Sequence, residues 1–109
     1  MSEQEFIDKS FAEVFSKQKE LPMALYGVGP NSKYILERFA DYNIVGLLDN
    51  VRTGDTVFGQ PVISLAQAKE LGVRLIIIVA RVNNKMIIYR RIKEFCRENN
   101  IDIYYVDGE

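Results

Sequence analysis

The chain has no histidine, and Cys96 is the one cysteine among its 109 residues. Without histidine there is no imidazole general base, no Ser–His or Cys–His couple and no histidine-ligated zinc. A lone cysteine excludes an internal disulfide and fits a reducing compartment, so the expected location is the cytoplasm. An excess of either charge is also missing. Fourteen Lys+Arg against fifteen Asp+Glu leave a net charge of −1, so no overall field recruits nucleic acid or an anionic membrane. Long apolar runs are missing as well: the longest, residues 75–80, falls far short of the ~20 residues of a membrane span. The polar, acidic first residues do not read as a secretory signal. With 48% apolar and 27% charged residues, the composition is that of one soluble domain. It is too short for a dinucleotide-binding domain plus a substrate domain.

What the chain does have is an apolar pattern that alternates between strand and helix periods. Ser2 and Glu5 make a capping-box pair, and Ile7, Phe11, Val14 and Phe15 share one helical face. This predicts a helix over residues 3–18, stopped before Pro22. Its apolar bulk exceeds the needs of a lone surface helix. It packs on the sheet of the same domain, the preferred reading, or covers a neighbouring domain or subunit. Residues 23–28 read as a buried strand. Pro30 suits the first position of a helix whose core stripe is Ile35, Leu36, Phe39 and Ala40. Residues 44–48 form a second strand ending at Asp49. Residues 50–61 are rich in turn formers and predict a long loop with a short extended piece at Val57 and Phe58. Ser64 and Gln67 form another capping box, opening a short helix closed by Gly72. Residues 73–80 are a continuous aliphatic run, as in a strand covered on both faces. Asn83 or Asn84 caps a last helix with Ile88, Ile92, Phe95 and Cys96 on its buried face. Asn99 and Asn100 end that helix, and residues 101–106 form the final strand.

The expected fold class is therefore α/β: a three-layer sandwich with a parallel sheet of about four strands in the order 2-1-3-4. The leading helix, residues 1–20, precedes a nucleotide-binding domain over 21–109. The switch point of this order lies between the first and third strands, so the segments 27–32 and 81–84 flank one crevice.

Gly27 allows a tight turn after the first strand, and Gly29 removes a Cβ where a phosphate would sit. Val28, Asn31 and Ser32 complete the loop and the first helical turn, whose amides and dipole face an anion. Ser32 stands at the third glycine's place, and Pro30 removes one donor. The same glycines also serve a bare strand–helix turn. Asp49 lies 22 residues after Gly27, near the spacing of a ribose-binding acid. Asp49 and Asn50 alternatively cap their own turn. Arg81 puts a guanidinium at the crevice mouth, or makes a surface ion pair. Asn83 is a ligand contact or a helix cap. Lys85, Arg90, Arg91, Lys93 and Arg97 read as the solvated face of the last helix. Cys96 falls on that helix's apolar stripe and reads as a core residue rather than a nucleophile.

Four strings carry a resemblance: residues 24–29 (Ala-Leu-Tyr-Gly-Val-Gly), 43–50 (Asn-Ile-Val-Gly-Leu-Leu-Asp-Asn), 59–63 (Gly-Gln-Pro-Val-Ile) and 76–80 (Ile-Ile-Ile-Val-Ala). Over about residues 22–108 the chain resembles the Rossmann-like, CoA-binding-like N-terminal domain of bacterial polysaccharide-biosynthesis proteins. Val79-Ala80-Arg81 and the closing residues 101–108 bring it nearest to the domain found in large haloacid-dehalogenase-like proteins. Related domains bind nucleotide-sugars in sugar acetyltransferases and precede the catalytic part of sugar-nucleotide dehydratases. The resemblance implies phosphate contacts at Gly27, Val28, Gly29, Asn31 and Ser32, with base or ribose at Asp49 and Asn50. No Asp-x-Asp segment occurs, so any hydrolase activity belongs to a separate domain after Glu109 or to another chain.

These readings predict a non-catalytic domain for a nucleotide or nucleotide-sugar, with NAD(P) among the candidate cofactors. Its expected partners are a catalytic domain of the same or a neighbouring chain and a second copy in a homodimer. Neither nucleic acid nor a membrane span is expected. Two alternatives stay open: a ligand-free docking or dimerisation module, and a fragment of an NAD-dependent oxidoreductase. Against the second, 109 residues leave no room for a substrate domain beside this one.

Overall fold

The computed structural model describes residues 3–79 and 82–105, apart from the side chains of residues 3, 82 and 83. Six strands form one mixed sheet: β1 Met23–Tyr26, β2 Ile44–Leu48, β3 Thr56–Val57, β4 Gln60–Ile63, β5 Leu75–Ile78 and β6 Asp102–Tyr105, in the order β3-β4-β2-β1-β5-β6. Every pairing is parallel except β3 with β4. The helices are α1 Glu3–Ser10, α2 Pro30–Arg38, α3 Leu65–Glu70 and α4 Val82–Glu98, with a π turn and a 3₁₀ turn continuing α1 from Phe11 to Gln18.

The sheet thus differs from the expected four parallel strands in the order 2-1-3-4. Where turn-rich residues 50–61 predict a loop, the chain folds an antiparallel hairpin that extends the sheet beyond β2. Its two-residue turn, Phe58 and Gly59, has φ of 52° and 79°, the paired positive values that match the twist of a hairpin. Gly46 allows β4 to come this close: a Cβ there would sit 3.0 Å from Ile63 Cδ1 and 3.1 Å from the Pro61 carbonyl oxygen.

Strand side chains alternate between two cores, as the period of two requires. Met23, Leu25, Leu75 and Ile77 face α1 and α2; Ala24, Tyr26, Ile76 and Ile78 face α3 and α4. Both faces of the central strands are covered, so their residues are buried without a polar alternation. The leading helix packs on the first face, with Ile7, Phe11 and Phe15 all buried. In a regular α-helix residues four apart drift by about 40°. The wider π turn at Phe11–Phe15 takes up that drift and keeps all three on one stripe. The Tyr42 hydroxyl donates to the Phe11 carbonyl at 3.0 Å in this buried region. Phe11 stacks on Phe39 at 4.3 Å and meets Tyr42 edge-on at 5.1 Å. Tyr34 on α2 donates to Asp8 on α1 at 2.8 Å, joining the two helices through a half-buried bond.

The capping box at Ser64 and Gln67 is formed, and Gly72 closes α3 with φ 78°. Asn100 ends α4 in the left-handed region, φ 56°, while Asn99 donates to the Phe95 carbonyl. Ser2 of the first capping-box pair lies outside the described residues. Among the described residues no helix is long and apolar enough to cross a membrane.

Candidate functional site

The carboxyl ends of β1 and β5 lie side by side, Tyr26 opposite Ile78, with Leu48 of β2 on the other flank. Past Tyr26 the chain makes one more ladder bond, the Gly27 N–H to the Leu48 carbonyl at 2.9 Å, and then turns. Gly27 holds φ 129°, a value side chains resist, so the turn itself demands glycine. Gly29 is different. Its φ of 178° is extended backbone open to any residue, and a Cβ built there meets nothing within 4 Å. Neither conformation nor internal packing explains a glycine at this position.

Ser32 is buried, and its hydroxyl donates to the Gly27 carbonyl, fixing the loop to the first turn of α2. Gly29 is the N-cap of α2 and carries no side-chain cap, and Pro30 in the first turn has no N–H. The partial positive charge of this helix end therefore faces the crevice undiminished by a capping carboxylate or hydroxyl. Asp49 accepts the Val51 N–H at 2.8 Å, so one of its oxygens closes its own turn. Asn50 accepts the Tyr26 hydroxyl at 2.5 Å.

A cleft of about 620 Å³ opens over these strand ends, bringing Gly27, Val28, Gly29, Asn31, Ser32, Asp49 and Asn50 onto one surface. Arg81 and the side chain of Asn83 lie outside the described residues. The far wall comes from α4, through Asn84, Ile87, Ile88 and Arg91, and Val51 and Val79 add apolar surface. Two readings of α4 need correction. The helix begins at Val82, so Asn83 and Asn84 belong to its first turn and are not its cap. Nor is its charged set uniformly a solvated face. Lys85 is only 8% exposed, with its ammonium 5.7 Å from the Tyr105 ring, and Arg91 lines the cleft. The signal for Arg91 was in the spacing, since 84, 87, 88 and 91 follow the i, i+3, i+4, i+7 stripe of one helix face.

Cys96 is 1% exposed, and burial pushes its thiol up to about 11, so it is protonated at neutral pH. Among the described residues no group of three histidine, cysteine or acidic side chains is placed to hold a metal ion.

A cleft at the carboxyl ends of parallel strands, beside a glycine turn that opens a helix, defines a Rossmann-like α/β domain. The solved structure of RSP, a Rex-family repressor, shares this fold: TM-score 0.57 and 13% identity, over 93% of this chain and 52% of that one. The chain therefore spans about half the length of that protein. No family model and no curated protein sequence matches it. The fold similarity supports the Rossmann-like part of the resemblance read from the sequence; the polysaccharide-biosynthesis part rests on the motifs alone.

Proposed function

We propose that this chain is a nucleotide- or nucleotide-sugar-binding domain that lacks catalytic groups of its own. The observation that carries the reading is Gly29. It is a glycine that neither its backbone nor its packing requires, placed where an uncapped helix N-terminus meets a cleft shared with Asp49. A diphosphate takes up the space that a Cβ would otherwise fill, with the dipole of α2 behind it. Asp49, with one oxygen engaged by Val51, offers the other to ribose hydroxyls. NAD(P) and nucleotide-sugars both present this diphosphate–ribose pairing. The motif resemblance supports reading the domain as part of a multidomain cytoplasmic protein of surface-polysaccharide biosynthesis, beside a catalytic domain of the same or a neighbouring chain. A second copy in a homodimer is a further partner.

Titration with NAD, NADP, UDP-sugars, CDP-linked compounds and CoA, followed by amide chemical shifts, tests the proposal. At least one compound is expected to move Gly27, Gly29 and Asp49 together at micromolar to millimolar concentration. Silence at all three residues with every compound at millimolar concentration removes it.

A second reading, a docking module that has lost its ligand, is favoured by a different observation. Asp49, Asn50 and Ser32 all make bonds within the protein, and Pro30 supplies no donor. Sedimentation of the isolated chain alone and with its neighbouring catalytic domain separates the two, because a monomer that binds no such domain is incompatible with docking.

A further inference from the structure

We propose that Arg91 is the phosphate-binding cation of the cleft and replaces, from the opposite wall, the donor that Pro30 withholds. The inference rests on the nucleotide-binding reading above and adds to it a residue and a ligand requirement: the ligand carries its negative charge toward α4, away from Asp49.

The argument begins with charge. Among the described residues lining the cleft, Asp49 and Arg91 alone are ionised. They stand on different elements, Asp49 just past β2 and Arg91 in the third turn of α4. A ligand with both a phosphate and a sugar is therefore oriented by the cleft itself. Its hydroxyls are drawn to the carboxylate, and its phosphates are repelled from the carboxylate and attracted to the guanidinium. Reversal of the ligand would place like charges together.

Arg91 is also uncommitted. Within its helix the acid three residues on, Glu94, is already held by Arg97 at 2.5 Å, and Arg91 has no ion pair among the described residues. Its neighbours on the cleft-facing stripe, Ile87 and Ile88, are apolar, so no carboxylate beside it on that wall quenches its charge. Ile87 and Ile88 on the same wall keep it apolar once a ligand displaces water, strengthening a pair with phosphate.

The glycine turn explains why a second source of donors is needed. A helix N-terminus that binds a diphosphate does so through its first amides, and here the first helical residue is proline. Arginine suits the vacancy because its planar fork presents five donors and grips a phosphate through two of them at once.

The test uses the full chain and probes of graded charge: inorganic pyrophosphate, ADP, UDP, adenosine and uridine, titrated by amide shifts into wild type, Arg91→Gln and Arg91→Lys. Arg91→Gln is expected to weaken pyrophosphate, ADP and UDP about tenfold or more while leaving the nucleosides and the thermal midpoint unchanged. Arg91→Lys recovers part of the loss, because the point charge remains while the fork is gone. Arg91→Gln binding ADP and UDP within about twofold of wild type overturns the assignment and leaves the nucleotide reading standing. Wild type that binds none of the phosphate probes removes the nucleotide reading, and the role of Arg91 with it.

Discussion

Two tyrosines mark two ends of the same sheet. Tyr42, beneath the leading helix, gives its hydroxyl to a backbone carbonyl, Phe11 O, inside a cluster of aromatic rings. Tyr26, at the carboxyl end of β1, gives its hydroxyl to a side chain, Asn50, on the floor of an open cleft. In the first region the polar group serves only the fold: it satisfies a carbonyl where the helix widens, and Phe11, Phe39 and Tyr42 close over it. In the second, the hydrogen bonds of Tyr26, Ser32 and Asp49 shape a loop that encloses nothing of the protein's own. Ordered polar groups around unfilled space are what a pre-formed ligand site needs, because the ordering entropy is met during folding rather than during binding.

The contrast breaks most easily at the aromatic end. Phe11→Ala removes a fully buried ring that stacks on Phe39 and meets Phe15 and Tyr42 edge-on. The expected loss is about 3–5 kcal/mol, read from denaturant midpoints at constant m. A loss below about 1 kcal/mol, or a ligand affinity that falls while stability holds, dissolves the distinction between the regions.

A smaller effect is expected at the hinge between them. Ser32 is buried yet belongs to the loop, so Ser32→Ala leaves the Gly27 carbonyl without its side-chain donor. That costs about 1–2 kcal/mol in global stability, and amide exchange at residues 27–29 speeds up more than exchange in β1. Equal acceleration throughout the sheet shows that the hydroxyl supports the core rather than the loop.

How much of this was legible in the sequence follows the reach of each interaction. Ser64 with Gln67, Gly72, and the uninterrupted apolar runs at residues 23–26 and 75–78 are local codes, and each produced its element. The hairpin was hidden because its turn is Phe58–Gly59, with a phenylalanine at a positive φ where asparagine is the usual marker. The π turn was hidden too. Its partner, the Tyr42 hydroxyl, is 31 residues away, and no local pattern encodes that meeting. In the cleft, glycine and acid spacing located the β1 and β2 contributions. Charge counting along α4 hid Arg91, since a lone cation on an apolar stripe looks like the solvated face until the sheet places it opposite the glycine turn.

The most discriminating change has the smallest effect on the fold. At Gly29 the backbone is extended and a Cβ meets nothing within 4 Å, so the expected cost of Gly29→Ala is only that of a poorer N-cap, about 1 kcal/mol or less. Removing glycine's extra unfolded-state freedom offsets part of that cost. The added methyl nevertheless occupies the space in which a phosphate oxygen approaches the start of α2. Affinity for ADP and UDP should then fall about tenfold or more, while nucleoside binding, which does not use that space, is retained. A Gly29→Ala protein that melts like wild type and still binds both nucleotides unchanged makes the open space an accident of the turn. One that loses well over about 2 kcal/mol, more than a cap is worth, places Gly29 with Gly27, among the residues the fold requires.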